Sequence, residues 1–265
     1  MFIKLATTAA AAALFVSGLV TATSASAATV APLPDGVTLS TLQQQPGVWG
    51  SVLSAAIKET APGHNIVRIQ VQQDWMTSDN YSYDPAEYLK VLESGVKTAR
   101  HLGLTVVLND QTEENYVAGD NDPMPTTATW AFWKLVAGAF KNQPGVIFDL
   151  FNEPREHPTW AAWHTSMQNL YDSVRGYGAR NTIWIEPPVS TTSLWPMPLV
   201  KGYGIVYSFH HPNGPFNWAT WAKNLSRHIP LVDGELDAAQ ATKPYLTFLR
   251  EHHIGVTIWT VPARG

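Results

Sequence analysis

The strongest constraint on this chain is an alternation repeated along nearly its whole length. Short β-branched runs, each followed by a stretch with helical or loop character, cover 36–42, 65–71, 104–109, 146–153, 182–186, 204–210, 229–235 and 255–259. Helical spacing fills the gaps at 49–60, 84–103, 126–141, 159–174, 218–228 and 245–252. Of these, the second starts most sharply: Asp84 can cap, Pro85 fits the first helical position, Glu87 completes a capping box, and Gly103 ends the helix. Strand–helix alternation builds a parallel sheet with right-handed crossovers. Eight strands is the number that closes, so the expected class is α/β, a (β/α)8 TIM barrel. An open doubly wound sheet is the structural alternative, but the chain has no GxGxxG or Walker sequence to mark one. The sequence stops at Gly265, just past the eighth run, so the last helix is expected to be lacking. The seam is then bare, or covered by the N-terminal segment, or the sequence is incomplete.

The first residues read as a targeting segment. Lys4 precedes an apolar stretch from Leu5 to Val20, and Ala25-Ser26-Ala27 supplies small residues for cleavage. Residues 1–27 are therefore expected to be a signal peptide, 28–35 a lead-in, and 36–265 the working domain. The apolar stretch is short and Ala-rich for a membrane span. The expected product is secreted or periplasmic, monomeric, and free of the membrane once the signal is cut. About 238 residues remain, which suits one barrel. There is no cysteine, so packing alone must hold an exported chain together. The net charge of −4 and the lack of a basic patch argue against a nucleic-acid partner. Charged residues make up only 14% while tryptophans number 11, which suits a neutral partner with flat apolar faces, such as a sugar.

Three of the apolar runs end on carboxylates: Glu153 in Asn152-Glu153-Pro154 and Glu235 in Asp233-Gly234-Glu235 are the leading pair, and Glu186 closes 182–186. In an α/β barrel the ends of the strands form the mouth where chemistry is done. Glycoside cleavage needs one carboxyl to protonate the leaving oxygen and another to meet the positive charge at the anomeric carbon. Their surroundings must push the two proton affinities apart.

From Val67-Arg68-Ile69 to Trp259, these strand ends resemble those of family 5 glycoside hydrolases, cellulase-type retaining enzymes. The resemblance implies Glu153 as acid/base and Glu235 as nucleophile. It implies that Arg68 keeps the nucleophile ionised, that Asn152 binds the sugar 2-hydroxyl, that His210 sits beside the cleaved bond, and that Trp259 forms the floor. No cofactor or metal is implied. Two positions depart from the family pattern. Asn109-Asp110-Gln111 stands where a strand-three histidine is usual, leaving Gln111 as a donor that cannot titrate. Pro212 stands where a tyrosine usually bonds the nucleophile, so slower turnover is expected, with His211, Tyr203 and Tyr207 available to compensate.

Among the other polar residues, Glu186 is the rival nucleophile, although a salt bridge or a substrate contact is the preferred reading. Asp149 is a possible ion partner of Arg68. Asp233, two residues before Glu235 on one strand, is expected on the same face as a buried support. The pairs His210-His211 and His252-His253 lack the spacing of a metal site. Trp130, Trp133, Trp160 and Trp163 have helical spacing and read as shell packing. Trp75, Trp195 and Trp218 fall in expected mouth loops and are candidate sugar platforms. The resemblance favours an endo-β-1,4-glucanase, with a β-mannanase next. A non-catalytic carbohydrate-binding barrel is the alternative of another class.

Overall fold

In this computed structural model, residues 32–40, 49–77, 84–111, 123–155, 159–188, 197–211 and 229–260 are described. The strands are β1 (Asp35–Leu39), β2 (Ile66–Gln72), β3 (Thr105–Gln111), β4 (Val146–Asp149), β5 (Ile183–Ile185), β6 (Ile205–His210), β7 (Leu231–Asp237) and β8 (Gly255–Thr260). They close in chain order, every neighbour parallel, with β8 returning to β1. Six helices are present among the described residues: α1 (Trp49–Thr60), α2 (Gln73–Thr77), α3 (Pro85–His101), α4 (Thr127–Phe140), α5 (Trp160–Gly176) and α6 (Lys243–Glu251). The expected helix at 218–228 lies outside the described residues, as do the signal segment, Trp195, Pro212 and Trp218.

Local chemistry accounts for the helix ends. Asp84 caps α3 by accepting from Ala86 N at 2.9 Å, with Pro85 at the first position. The expected capping box does not form, because Glu87 turns outward to Lys90. After α3 the chain reverses through Gly103 at φ +82°, a left-handed turn open to glycine without strain. Thr159 caps α5 by accepting from Ala162 N at 3.1 Å.

Alternation along the strands sends one set of side chains outward against the helices and the other into the barrel. The outer layer is apolar and nearly solvent-free, for example Leu53, Leu92, Phe132, Trp133, Trp163 and Leu249. Each such large side chain contributes about 1.5–3 kcal/mol through burial. The inside begins as a small apolar plug of Ile66, Val107, Trp184 and Val232 at the base. Above it the interior turns polar, with Thr38, Arg68, Asn109, Asp149, Ser208 and Thr257 all fully buried. This change from plug to polar layers is what creates a site at the C-terminal mouth.

The lead-in holds the base of the seam. Val256 N donates to Pro34 O at 2.8 Å, and Asn65 Nδ2 donates to Leu33 O at 2.8 Å. Between α6 and β8 a groove of about 360 Å³ is lined by Leu33, Leu246, Leu249, Ile254 and Ile258, among others.

β7 departs from simple alternation. Asp233 pairs with Phe209 and Glu235 with His210, so Gly234 is an extra residue in the strand. The same offset recurs on the β8 side, where Asp233 pairs with Val256 and Leu236 with Ile258. This is a β-bulge, a device common beside active sites.

Candidate active site

Arg68 is the hub. It projects inward from β2 with no exposed surface and spends its guanidinium on four acceptors. Nε donates to Asp149 Oδ2 at 2.8 Å, Nη1 to Glu235 Oε2 at 2.6 Å, and Nη2 to Asn152 Oδ1 at 2.7 Å and Glu186 Oε1 at 2.9 Å. Burial alone would weaken its hold on the proton. Asp149, Glu235 and Glu186 outweigh that and keep it charged. One fixed cation thus orients side chains from β4, the loops after β4 and β5, and β7.

The strand-end picture needs two corrections. β4 ends at Asp149, and Glu153 lies beyond it in the following loop. β7 runs on to Asp237, so Glu235 lies inside the strand. Glu153 is held by the loop instead. Its φ is +41°, a left-handed conformation that costs a non-glycine residue about 1–3 kcal/mol. Glu153 N donates to Glu186 Oε2 at 2.7 Å, and Asn152 N donates to Asp110 O at 2.9 Å. Trp133 Nε1 donates to Leu150 O and Trp163 Nε1 to Glu186 O, so the buried shell tryptophans also pin the mouth.

Glu153, Glu235 and His210 each place one donor atom within 4.8 Å of the others. His210 Nδ1 sits 2.7 Å from Glu153 Oε1, and Nε2 sits 3.3 Å from Glu186 Oε1. Burial would lower the imidazole, but Glu186, Glu153 and Glu235 win and hold it well above its ordinary value. Burial would raise Glu153. Its hydrogen bond to His210, with the charges of His210 and Arg68, brings it below the ordinary range. Glu186 is lowered in the same way against its own burial, chiefly by the charge of His210. Asp149 goes the other way: burial, with Glu186 adding to it, pushes it up to about 8 against the pull of Arg68. The shared proton of the Glu153–His210 pair therefore rests on the imidazole. The three donors are close enough to share a cation. His210 already engages Glu153 and Arg68 already engages Glu235, an arrangement that suits proton transfer better.

Arg68, Asn152, Glu153, His210 and Glu235 are thus brought together at the mouth. Trp259 lies on β8 opposite Thr38 and is partly exposed at the mouth. Gln111 closes β3, fully buried, opposite Gln72. Trp75 is a correction. Residues 73–77 coil into α2 directly after β2, which tucks Trp75 into the core, 2% exposed and edge-on to Tyr88 at 5.8 Å. It is no sugar platform. Asp233 is buried, as expected, but on the opposite face. It accepts from Tyr245 Oη of α6 at 2.7 Å, and burial pushes it up to about 7.

One participant was missed. Gln70 Nε2 donates to Glu235 Oε2 at 2.8 Å. Its signal in the sequence was a polar side chain two residues after Arg68 in an otherwise β-branched run. Glu186 makes the salt bridge that was its preferred reading, to Arg68, and it braces Glu153 and His210 as well, which spacing along the chain does not reveal.

The sequence matches the pattern of the family Cellulase (glycosyl hydrolase family 5) over residues 35–265. The chain belongs to that family. Membership places it in the class of glycoside hydrolases. A probable endo-β-1,4-glucanase B of Aspergillus oryzae is 30% identical over 158 residues, 57% of this chain and 46% of that relative. The alignment thus spans just under half of the relative's length. A solved hyperthermophilic endo-β-1,4-glucanase in complex with substrate has 21% identity and a TM-score of 0.68, covering 87% of this chain and 90% of that one. The cellulose synthase subunit Z of Clostridioides difficile has 16% identity and a TM-score of 0.64, covering 88% and 93%. At these identities the structures bear on fold alone.

Proposed function

We propose that this protein is an exported retaining endo-β-1,4-glucanase in which Glu153 is the acid/base and Glu235 the nucleophile. The observation that carries the reading is the approach of the two carboxylates to within 4.8 Å at the barrel mouth, beside the Arg68 hub. Retaining glycosidases hold their carboxyls about 5–5.5 Å apart, whereas inverting ones need about 6.5–9.5 Å to admit a water. The similarity to a probable endo-β-1,4-glucanase and to a hyperthermophilic endo-β-1,4-glucanase favours a β-1,4-glucan as substrate.

The chemistry runs in two displacements. The proton held by His210 passes along the 2.7 Å contact to Glu153, which delivers it to the leaving glycosidic oxygen. Glu235 attacks the anomeric carbon, its charge shared with Arg68, and forms a glycosyl ester. Glu153, now a carboxylate, takes a proton from water as that water attacks the same carbon. The ester breaks, Glu235 is freed, and the proton returns to the Glu153–His210 pair. Asn152 is placed by Arg68 to meet the 2-hydroxyl, and Trp259 offers a face for the ring to lie on. Export rests on the composition of residues 1–27. No described helix is long and apolar enough to cross a membrane.

The test is reducing-sugar release from carboxymethylcellulose, mannan and xylan by the mature chain, with Glu153→Gln and Glu235→Gln as controls. Carboxymethylcellulose is expected to be cleaved, with both variants inactive. Cleavage of mannan alone moves the substrate assignment. Saccharide binding without cleavage, unchanged in Glu153→Gln, overturns the enzymatic reading.

A further inference from the structure

We infer that Gln70 is a positioning residue for Glu235, supplying from β2 the hydrogen bond that a residue at position 212 would otherwise be expected to give. The inference rests on the reading of Glu235 as nucleophile. Gln70 projects into the barrel two residues beyond Arg68 and is 1% exposed. Its Nε2 lies 2.8 Å from Glu235 Oε2, the same oxygen that receives Arg68 Nη1 at 2.6 Å. An ionised carboxylate only accepts, so the amide must present its NH2 and not its oxygen. The orientation is fixed by chemistry. Glutamine has no charge of its own, so this donor stays in place across the working pH range.

Two donors on one oxygen do more than one. Arg68 is drawn four ways, to Asp149, Asn152, Glu186 and Glu235, so its bond alone leaves Glu235 free to pivot about that contact. A second donor from the same strand fixes the plane of the carboxylate and keeps both of these bonds on Oε2, off Oε1. Among the described residues, the titratable and charged groups around Glu235 are Arg68 on β2, Glu153 after β4, Glu186 after β5 and His210 on β6, with Asp149 behind Arg68. Gln70 is the uncharged member of that ring. Pro212, which cannot donate through a side chain, stands where the family pattern has a tyrosine.

The test uses Gln70→Met, which keeps volume and removes the donor, and Gln70→Glu, whose carboxyl donates only when protonated. Gln70→Met is expected to lower kcat about 10- to 100-fold, the worth of one hydrogen bond to a charged group, with KM within about twofold. For Gln70→Glu, activity relative to wild type is expected to fall as pH rises. Unchanged kcat in Gln70→Met, or a pH-independent ratio for Gln70→Glu, overturns the inference. A readout without turnover keeps it separate from the glycosidase reading. The side-chain amide signal of Gln70 in the 15N-labelled protein, assigned by its loss in Gln70→Met, is expected to move in Glu235→Gln. An unmoved signal overturns the inference even if the enzyme is active. A moved signal in a chain that cleaves no glycan supports the contact while overturning the glycosidase reading.

Discussion

Glu235 faces His210 across the β6–β7 ladder because one residue, Gly234, has been added to β7 between the rungs. Without that insertion the period of two would turn position 235 to the face of Asp233, outward against α6. The bulge is clamped. Gly234 O accepts from Thr38 Oγ1 at 3.1 Å and from Thr257 Oγ1, both from the strands that close the barrel.

Gly234 is therefore predicted to resist any side chain. A Cβ there would meet Ser208 Oγ at 2.0 Å. Gly234→Ala is expected to cost about 1–3 kcal/mol by overpacking and to lower kcat, because relief of the clash displaces Glu235. Adding Ser208→Gly opens the space and is expected to recover much of both losses. Thermal melts and kcat on carboxymethylcellulose check this. A single variant with wild-type stability and rate would show that the bulge positions nothing.

Arg68 is predicted to be irreplaceable even by lysine. Its planar fork reaches Asp149, Asn152, Glu186 and Glu235 at once, and an ammonium on a flexible stem cannot. Removing one partner of a buried ion pair costs about 3–5 kcal/mol. Arg68→Met is expected to reach that range, and Arg68→Lys to fold with a lower melting temperature and strongly reduced kcat. Denaturant midpoints measured on both variants, together with their rates, supply the check.

The imidazole of His210 sets a pH window for stability. Its folded value lies well above 6.5, so its contribution is complete below about pH 6.5 and is lost as pH rises through the folded value. Glu153 and Glu186 are lowered, so theirs is complete above about pH 4.5 and is lost as pH falls through their folded values. The melting-temperature gap between wild type and His210→Gln is thus expected to peak between these limits and narrow on both sides. A gap that widens steadily from pH 6 to pH 9 would contradict the proposed charge state.

The barrel was legible because strand and helix periods alternate eight times, and Glu153 and Glu235 were legible because charges are rare at the ends of apolar runs, whereas Arg68, inside its run, stood out through the family resemblance. What failed to show was parity and curvature. A period-two reading put Asp233 and Glu235 on one face, since a bulge leaves no mark beyond the glycine. Trp75 looked like a mouth residue because α2 is one short turn that composition does not announce. Gln70 was passed over because a lone amide in a β-branched run does not show which distant side chain it meets, here Glu235 on β7.

Glu186 remains the rival carboxylate, and its surroundings predict how it will behave. It is 2% exposed, bound to Arg68, beside His210, and its Oε2 accepts from Glu153 N, the amide of the residue held at φ +41°. All of that engages Glu186 as a brace for the Glu153 loop. Glu186→Gln replaces one accepting oxygen with an NH2 that cannot satisfy both Arg68 and Glu153 N. The expected result is a lower melting temperature and a kcat reduced about 10- to 100-fold, the loss of a hydrogen bond to a charged group. Covalent labelling with a 2-deoxy-2-fluoro glycoside is still expected to fall on the peptide carrying Glu235 in both wild type and variant. A label on the peptide carrying Glu186 in the wild-type protein would exchange the two roles and with them the account of β7.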